Sequence, residues 1–422
     1  MTAALPSVAG IPVDFFLFAA VLAGVALFHH HTLRVALIGL VAITVYKILF
    51  SPFHGVPGLP GFGSVLRHEA VTLLNLFGLL LGFALLSKHF EESRIPAILP
   101  RFLPDDWKGG FLMLVLVFVL SSFLDNIAAA MIGGTMATVL YRGRLHTGFL
   151  AAIVAASNGG GSGSVVGDTT TTMMWIAGVP PKDVFEAYVA AVPALLIFGV
   201  MAARQQQALQ PITKDAPAGE RVDPARIAIV AIILLAAVAA NVWFNVRDPA
   251  VLERVPVIGL AVWAAIAVTM AWRRPEWGLL PAATRGSIFL LSLVLIASMM
   301  PVEALPKASW PTALGIGFVS AVFDNIPLTA LALHQGGYDW GFLAYAVGFG
   351  GSMIWFGSSA GVALASMFPQ ARSVGAWIRS GWHITVGYVV GFFCLLAVLG
   401  WHVDVPILRG IEPAVPAASA PR

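Results

Sequence analysis

Three aspartates stand in stretches that are otherwise almost wholly apolar. Asp125 and Asp324 each precede an asparagine, in Ser-Ser-Phe-Leu-Asp125-Asn126-Ile and Ser-Ala-Val-Phe-Asp324-Asn325-Ile, and Asp168 opens Gly-Asp-Thr-Thr-Thr-Thr-Met-Met-Trp. An ionised aspartate at the centre of a bilayer costs at least about 2.5–3.5 kcal/mol on insertion scales, so an acid placed there is a candidate for function. Asp125 and Asp324 also have a structural use, because Asp or Asn can cap the N-terminus of a half-helix at a hairpin tip. Capping and ion ligation are compatible at one tip, and the same two uses stand for Asn126 and Asn325. Asp168 is followed by four hydroxyls, Thr169 to Thr172. A carboxylate among hydroxyl and carbonyl oxygens suits a monovalent cation or an exchangeable proton, and burial sets Na⁺ and H⁺ in competition for it. Thr169 and Thr170 are the nearest ligand candidates, and a sodium ion is the metal expected at Asp125, Asp168 and Asp324.

Upstream of Asp168, the run Ser157-Asn158-Gly-Gly-Gly-Ser-Gly-Ser164 is rich in glycine. Each interior glycine costs a helix about 1 kcal/mol relative to alanine, so the run is expected to unwind and free carbonyls as hard oxygen ligands, with Ser157 and Asn158 beside them. Gly350-Gly-Ser352 and Gly357-Ser358 repeat the feature later in the chain, making Ser352 and Ser358 the matching candidates. Other polar residues have plainer readings. Glu69 and Glu276 begin apolar stretches and read as interfacial. His29-His30-His31 reads as an interfacial turn, His334 and His383 as interfacial or packing residues, and the twelve Trp mostly as interface anchors.

The elements that position these residues follow from composition. Of 422 residues, 59% are apolar and 11% charged, against about a quarter charged in soluble domains, and mean hydropathy is +0.87. A soluble enzyme and a nucleic-acid binder are excluded. Net charge is only +3, and the lone Cys394 allows neither an intramolecular disulfide nor a cysteine-based metal site. The N-terminus lacks the basic n-region of a signal peptide. The chain is expected to be an all-α polytopic membrane protein, with lipid as its surroundings and small ions as its cargo.

Apolar stretches of spanning length fall near 12–28, 33–50, 70–87, 146–176, 184–203, 227–246, 255–272, 286–302, 340–368 and 381–401. Residues 110–140 and 311–334 carry Asp-Asn at their middle instead. Lys88, Arg94, Arg101 and Lys108 precede the first of these and Arg142 and Arg144 follow it. Positive charge marks cytoplasmic loops, so both ends of 110–140 lie inside, and a re-entrant hairpin with Asp125-Asn126 at its tip is expected. The segment 311–334 then has both ends outside. The resulting architecture is about ten transmembrane helices plus two oppositely oriented re-entrant hairpins, with broken helices at the midplane. Residues 1–64 are N-terminal helices, 65–203 and 227–401 the two inverted repeats, 204–226 a cytoplasmic hinge, and 402–422 a Pro/Ala-rich disordered tail. The repeat rests on order: in each half an Asp-Asn hairpin precedes a span interrupted by Gly and Ser, a pattern of many secondary transporters.

At Ser-Xaa-Xaa-(Leu/Phe)-Asp-Asn in both halves, and at Ser-Val-Val-Gly-Asp168-Thr-Thr-Thr-Thr-Met-Met-Trp-Ile, the chain resembles the ion transporter superfamily. Within it the similarity is to NhaD-type sodium/proton antiporters, with arsenite permeases and citrate/dicarboxylate carriers as more distant relatives. The resemblance covers roughly 65–400 and includes Arg67-His68-Glu69, which looks like the family's acidic start of that span. It implies exchange of Na⁺ or Li⁺ for H⁺ with no cofactor beyond the transported ions. It also implies ion-ligand roles for Asp125, Asn126, Asp168, Thr169, Thr170, Asp324 and Asn325, in a multi-pass protein of a bacterial inner membrane. A homodimer is compatible with this architecture, though no motif encodes it. Two features depart from the pattern: the second half, Gly-Phe-Gly-Gly-Ser-Met-Ile-Trp-Phe-Gly-Ser-Ser-Ala-Gly, is strongly apolar, and the Ser-Asn-Thr signature of dicarboxylate carriers is missing.

The alternative on the same architecture is a citrate, dicarboxylate or oxyanion carrier coupled to Na⁺ or H⁺, its anion held at half-helix N-termini. No Arg falls in the interior of an expected span, Arg34 standing at the edge of 33–50, which disfavours bidentate carboxylate recognition. An intramembrane aspartyl protease would need Gly-Xaa-Gly-Asp, whose first glycine is missing from Val-Val-Gly-Asp168. A channel would not require the repeat.

Overall fold

A computed structural model describes residues 6–28, 31–98, 102–213 and 221–403. The architecture is all-α and polytopic, with a two-residue antiparallel ribbon, β1 (Ser7–Val8) and β2 (Ile11–Pro12), before the first helix. Helices α1 (Val13–Leu27), α2 (Thr32–Phe50) and α3 (Gly58–Glu92) come first, followed by the short α4 (Ile95–Ile98). The first interrupted unit comprises α5 (Trp107–Ser121), α6 (Asn126–Leu140), α7 (Thr147–Ser162), α8 (Thr169–Ile176), α9 (Pro181–Phe185) and α10 (Tyr188–Leu209). Then follow α11 (Pro224–Arg247), α12 (Pro249–Arg254), α13 (Val257–Thr269) and α14 (Leu280–Ser298). The second interrupted unit is α15 (Trp310–Ser320), α16 (Asn325–Gln335), α17 (Trp340–Gly350) and α18 (Ser359–Met367), and α19 (Val374–Ser380) and α20 (Trp382–Leu399) close the described chain. The N-terminal boundary expected at residue 64 falls inside α3. His29, His30, Arg101 and the tail beyond residue 403 lie outside the described residues.

Length separates two kinds of helix. At 1.5 Å per residue, the 35 residues of α3 extend about 52 Å, more than the roughly 30 Å hydrocarbon core. Among the described residues, six helical stretches are long and apolar enough to cross: α2, α3, Pro181–Leu209, Pro224–Phe244, Trp277–Ser298 and α20. By contrast α5 and α6 have 15 residues each and α15 and α16 have 11, only about 22 and 16 Å. Each of these pairs is joined at an Asp-Asn step, and α7–α8 and α17–α18 are breaks within longer runs.

A helix that starts at membrane depth leaves N–H groups with no water to bond. The sequence supplies a cap at each such start. Asp125 accepts from the amide of Ile127, Asp168 from Thr170, Asp324 from Ile326, and Ser358 from Gly361. The glycine run does not unwind where the sequence suggested. α7 continues through Gly159, Gly160 and Gly161 to Ser162, and the irregular stretch begins only at Gly163. Packing overrides propensity: a Cβ on Gly160 would lie 2.0 Å from the carbonyl oxygen of Phe118, and one on Gly350 would lie 2.3 Å from that of Gly317. These glycines let helix backbones touch, as small residues do between membrane helices.

The polar linker is shorter and better anchored than a free hinge. Helix α10 extends to Leu209, and residues 214–220, including Lys214, lie outside the described segments. On the far side, the amide of Asp223 donates to the carbonyl of Ser93 (3.0 Å), and its side chain caps α11. The Arg273 guanidinium, bonded to Asp223 at 2.9 Å, holds that carboxyl below the usual carboxylate range. Arg226 pairs with Glu92 at the end of α3. The Arg142–Arg144 loop and the α10 end, expected on one membrane face, are bonded together: Gln206 joins the amide of His146 and the carbonyl of Arg144, and Thr213 donates to the carbonyl of Leu140.

Asp14 is a further buried acid in an apolar stretch, one that motif reading passed over. It is fully buried, 2.8 Å from Lys47 of α2, and also accepts from Ser51. Several tryptophans also depart from expectation: Trp175, Trp340, Trp355 and Trp377 are core residues, whereas Trp243, Trp272, Trp277, Trp310 and Trp382 are exposed. Breaking a buried ion pair by removing one partner costs about 3–5 kcal/mol because a charge is left uncompensated. Lys47→Met is therefore expected to lower the thermal unfolding midpoint of the purified protein sharply, and Asp14→Leu combined with Lys47→Met should recover much of the loss.

Candidate functional site

The four helix starts meet around a buried chain of amides and hydroxyls. Asn126, the first residue of α6, donates through Nδ2 to Oδ2 of Asp168 at 2.9 Å and to Oδ1 of Asn158 at 3.1 Å. Asn158, on α7, donates in turn to the hydroxyls of Ser352 (3.0 Å) and Ser358 (2.9 Å) in the second broken run. Ser157 donates to the backbone carbonyl of Asn126. Asn158, Ser157, Ser352 and Ser358 are completely buried, and Asp168 is 2% exposed. Asn158 thereby ties the break before α8 to the break before α18. Trp377 reinforces the second break by donating from its indole to the carbonyl of Ser352 at 3.1 Å.

Each carboxylate oxygen of Asp168 has one protein donor, the Thr170 amide on Oδ1 and Asn126 on Oδ2. An ionised carboxylate offers about four acceptor positions, so lone pairs remain for a cation or proton. Among the described residues no Lys, Arg or His pairs with Asp168, while Asp125 and Asp324 are within electrostatic reach of it. Like charges gathered out of water favour an added positive charge. Two of the threonines brace the break: Thr171 donates to the carbonyls of Ser164 and Asp168, and Thr172, which also lines a cavity beside it, to those of Val165 and Asp168.

Beside this chain lies a cavity of about 350 Å³. Its polar wall holds Asp125, Asn126, Asp168, Thr169, Asn325 and Ser359. Apolar residues of α3 and α14, such as Leu76, Phe83 and Leu290, form the opposite wall. Asp324 lines a neighbouring cavity of about 210 Å³, and Ile127 and Ser359 line both. Ser359 donates to Asp324 at 3.4 Å. The amide nitrogen of Asn325 is buried without a protein partner.

Of the residues singled out from sequence, Asp125, Asn126, Asp168, Thr169 and Asn325 share one cavity. Ser157, Asn158, Ser352 and Ser358 support it, and Thr170 is buried behind Asp168, contributing its backbone amide. Asp324 faces the adjoining space. The three aspartates thus do not surround a single metal, and among the described residues no three His, Cys, Asp or Glu side chains are placed to do so. Sequence reasoning missed Ser359, although the Ser358-Ser359 doublet was visible. It also missed Ser87 and Ser287, which line the cavity from α3 and α14 and look like any small polar residue in an apolar helix. Glu69 is not interfacial: it is 6% exposed and lies 3.6 Å from His334 of α16. Glu276 and His31 are exposed, and His383 is buried against Gln205.

No protein-family model matches the chain. Over 149 residues it is 32% identical to Sodium/proton antiporter 1 of Arabidopsis thaliana, a match covering 29% of this chain and 24% of that protein. The chain thus spans about a quarter of the length of the relative it matches.

Removing Asn158 orphans buried donors and acceptors on both sides, each costing about 1–3 kcal/mol. Asn158→Ala is expected to lower unfolding stability by at least that amount in denaturant titrations, whereas Thr135→Ala, at an exposed hydroxyl bonded only to its own helix, should leave it nearly unchanged.

Proposed function

We propose that this chain is a cation/proton antiporter, exchanging Na⁺ or Li⁺ for H⁺ at Asp168. The observation that carries the reading is a carboxylate, buried at a helix break and lining a cavity, that receives two neutral donors and no positive partner. The partial similarity to a sodium/proton antiporter supports it, as does the likeness of the Asp-Asn and Gly-Asp-Thr strings to NhaD-type proteins.

In this mechanism Asp168 holds either the cation or the proton. Asp125 lies in the same cavity and its charge adds to the preference for a positive occupant. Thr169 and the break carbonyls take the place of water around a dehydrated cation, and Asn126 orients the carboxylate. Asn158, Ser352 and Ser358 hold the two breaks in register, and Asp324 with Ser359 completes the second cavity. Thr170 fixes one carboxylate oxygen through its amide. Alternating access follows from relative movement of two inverted repeats, 65–203 and 227–401, in a bacterial inner membrane. Since a cation and a proton occupy one site in turn, the gradient of either drives the other, and no enzymatic step is required. The anion-carrier alternative is less well supported, because the half-helix N-termini are capped by the chain's own Asp125, Asp168, Asp324 and Ser358.

Everted vesicles from antiporter-deficient cells, loaded with a pH gradient at external pH values from about 6.5 to about 9, a range that spans the neutral region where a catalytic or exchanging acid works best, test the reading. Addition of Na⁺ or Li⁺ is expected to dissipate the gradient, and Asp168→Asn to abolish the response while the protein remains in the membrane. Proton movement driven by citrate but not by cations would overturn antiport in favour of the carboxylate carrier.

A further inference from the structure

A second set of titratable groups lies away from the Asp168 cavity. Glu69 on α3 is buried, and its Oε1 lies 3.6 Å from Nε2 of His334 near the end of α16. Helical rise separates the pair from the cavity along both helices. Glu69 precedes the first cavity-lining residue of α3, Leu76, by about 10 Å, and His334 follows Ile326 by about 12 Å. Two exposed imidazoles, His54 before α3 and His68 on it, are within electrostatic reach of His334. His54 is anchored by a 2.7 Å bond between its Nε2 and the carbonyl of Ser298, at the end of α14. Imidazoles thus lead from the exposed surface to a buried carboxylate–imidazole pair carried by two helices that also line the cation cavity.

We propose that Glu69 and His334 form a proton-binding station, loaded through His54 and His68, that links proton occupancy at one end of α3 and α16 to the Asp168 cavity. The station takes up one proton. In the empty form Glu69 is a carboxylate beside a neutral imidazole, and the added proton is held on Glu69 as a carboxyl O–H that faces Nε2 of the imidazole. The gap lies just beyond hydrogen-bond reach, so protonation draws α3 and α16 together and release lets them part. No fixed cation competes within the pair. Arg67 of α3 is exposed, as are Arg254 of α12 and Glu303 in the turn packed on α16. Lys47 of α2 is engaged by Asp14 and Arg226 of α11 by Glu92. Arg34 of α2, Arg247 of α11 and Arg285 of α14 lie on helices that also pack on α3, outside the pair, while α8, α13, α15 and α17 carry no charged residue within their spans.

The link to transport rests on the antiport reading, but the station itself can be tested without transport. In pH-difference infrared spectra of the full-length Asp168→Asn protein in lipid nanodiscs, imidazole and carboxylate bands should titrate together. The part of the carboxylate change due to the station should be lost in Glu69→Gln and should titrate at a different pH in His334→Gln, while the imidazole bands of the exposed histidines remain. Spectra unchanged by both variants would overturn the station whatever the transport result. In vesicles, Glu69→Gln removes the carboxylate that takes up the proton, so the station's contribution should be lost and the pH profile of exchange should shift by about one unit, a tenfold change in proton concentration. The cation concentration for half-maximal response should stay the same. A merely structural contact would scale activity equally at every pH, and that result would also overturn the proposal. A parent protein that moves no protons in response to cations would defeat antiport and leave the infrared titration to decide the station.

Discussion

Interrupting helices inside the packed helical body is the constraint on which the rest of this structure depends. Four helices begin there, and their first amides must be satisfied by the chain itself. In three of them the cap is a carboxylate, and in the fourth a serine. The caps bring acid into the interior, and the same breaks free carbonyl and hydroxyl oxygens around it. A capping carboxylate therefore keeps acceptor positions for a further ligand, since a cap uses only part of its capacity.

The buried acids differ by what they are given as partners. Asp14 has a buried lysine at 2.8 Å and a serine, so its charge is cancelled permanently and the pair locks α1 to α2. Glu69 has an imidazole, a partner whose charge comes and goes with pH. Asp168 has only neutral donors, which orient the carboxylate without neutralising it. That gradation, from fixed cation through titratable base to no cation, distinguishes these acids more sharply than burial does, because all of them are buried.

Packing around the breaks explains why they are rigid enough to present a site. Backbones meet at Gly160 against Phe118 and at Gly350 against Gly317, contacts that a single methyl would block. Asn158 spans the two broken runs with bonds to both sides. The apolar wall contributed by α3 and α14 keeps the cavity in a low-dielectric setting, where the difference between an occupied and an empty carboxylate is large.

The sequence by itself determined a polytopic helical protein, the approximate helix ranges, the Asp-Asn steps and Asp168 as the acid of interest. Those conclusions follow from local signals: long apolar runs can only be helices in a bilayer, and a lone acid within one is conspicuous. Tertiary structure decided what local signals cannot carry. The glycines of α7 read as breakers but serve as contact points, because Gly159 meets Phe349 of α17, Gly160 meets Phe118 of α5, and Gly161 meets the break at Gly167. Asp14 and Lys47 look like two unremarkable charges until α1 packs on α2. Glu69 looked interfacial because it stands near a helix start, and only the approach of α16 buries it. Asp324 shares its motif with Asp125 yet faces a separate cavity, since Ile127 and Ser359 stand between them. Partnership between residues far apart in the chain is a property of packing, and no spacing rule along one helix encodes it.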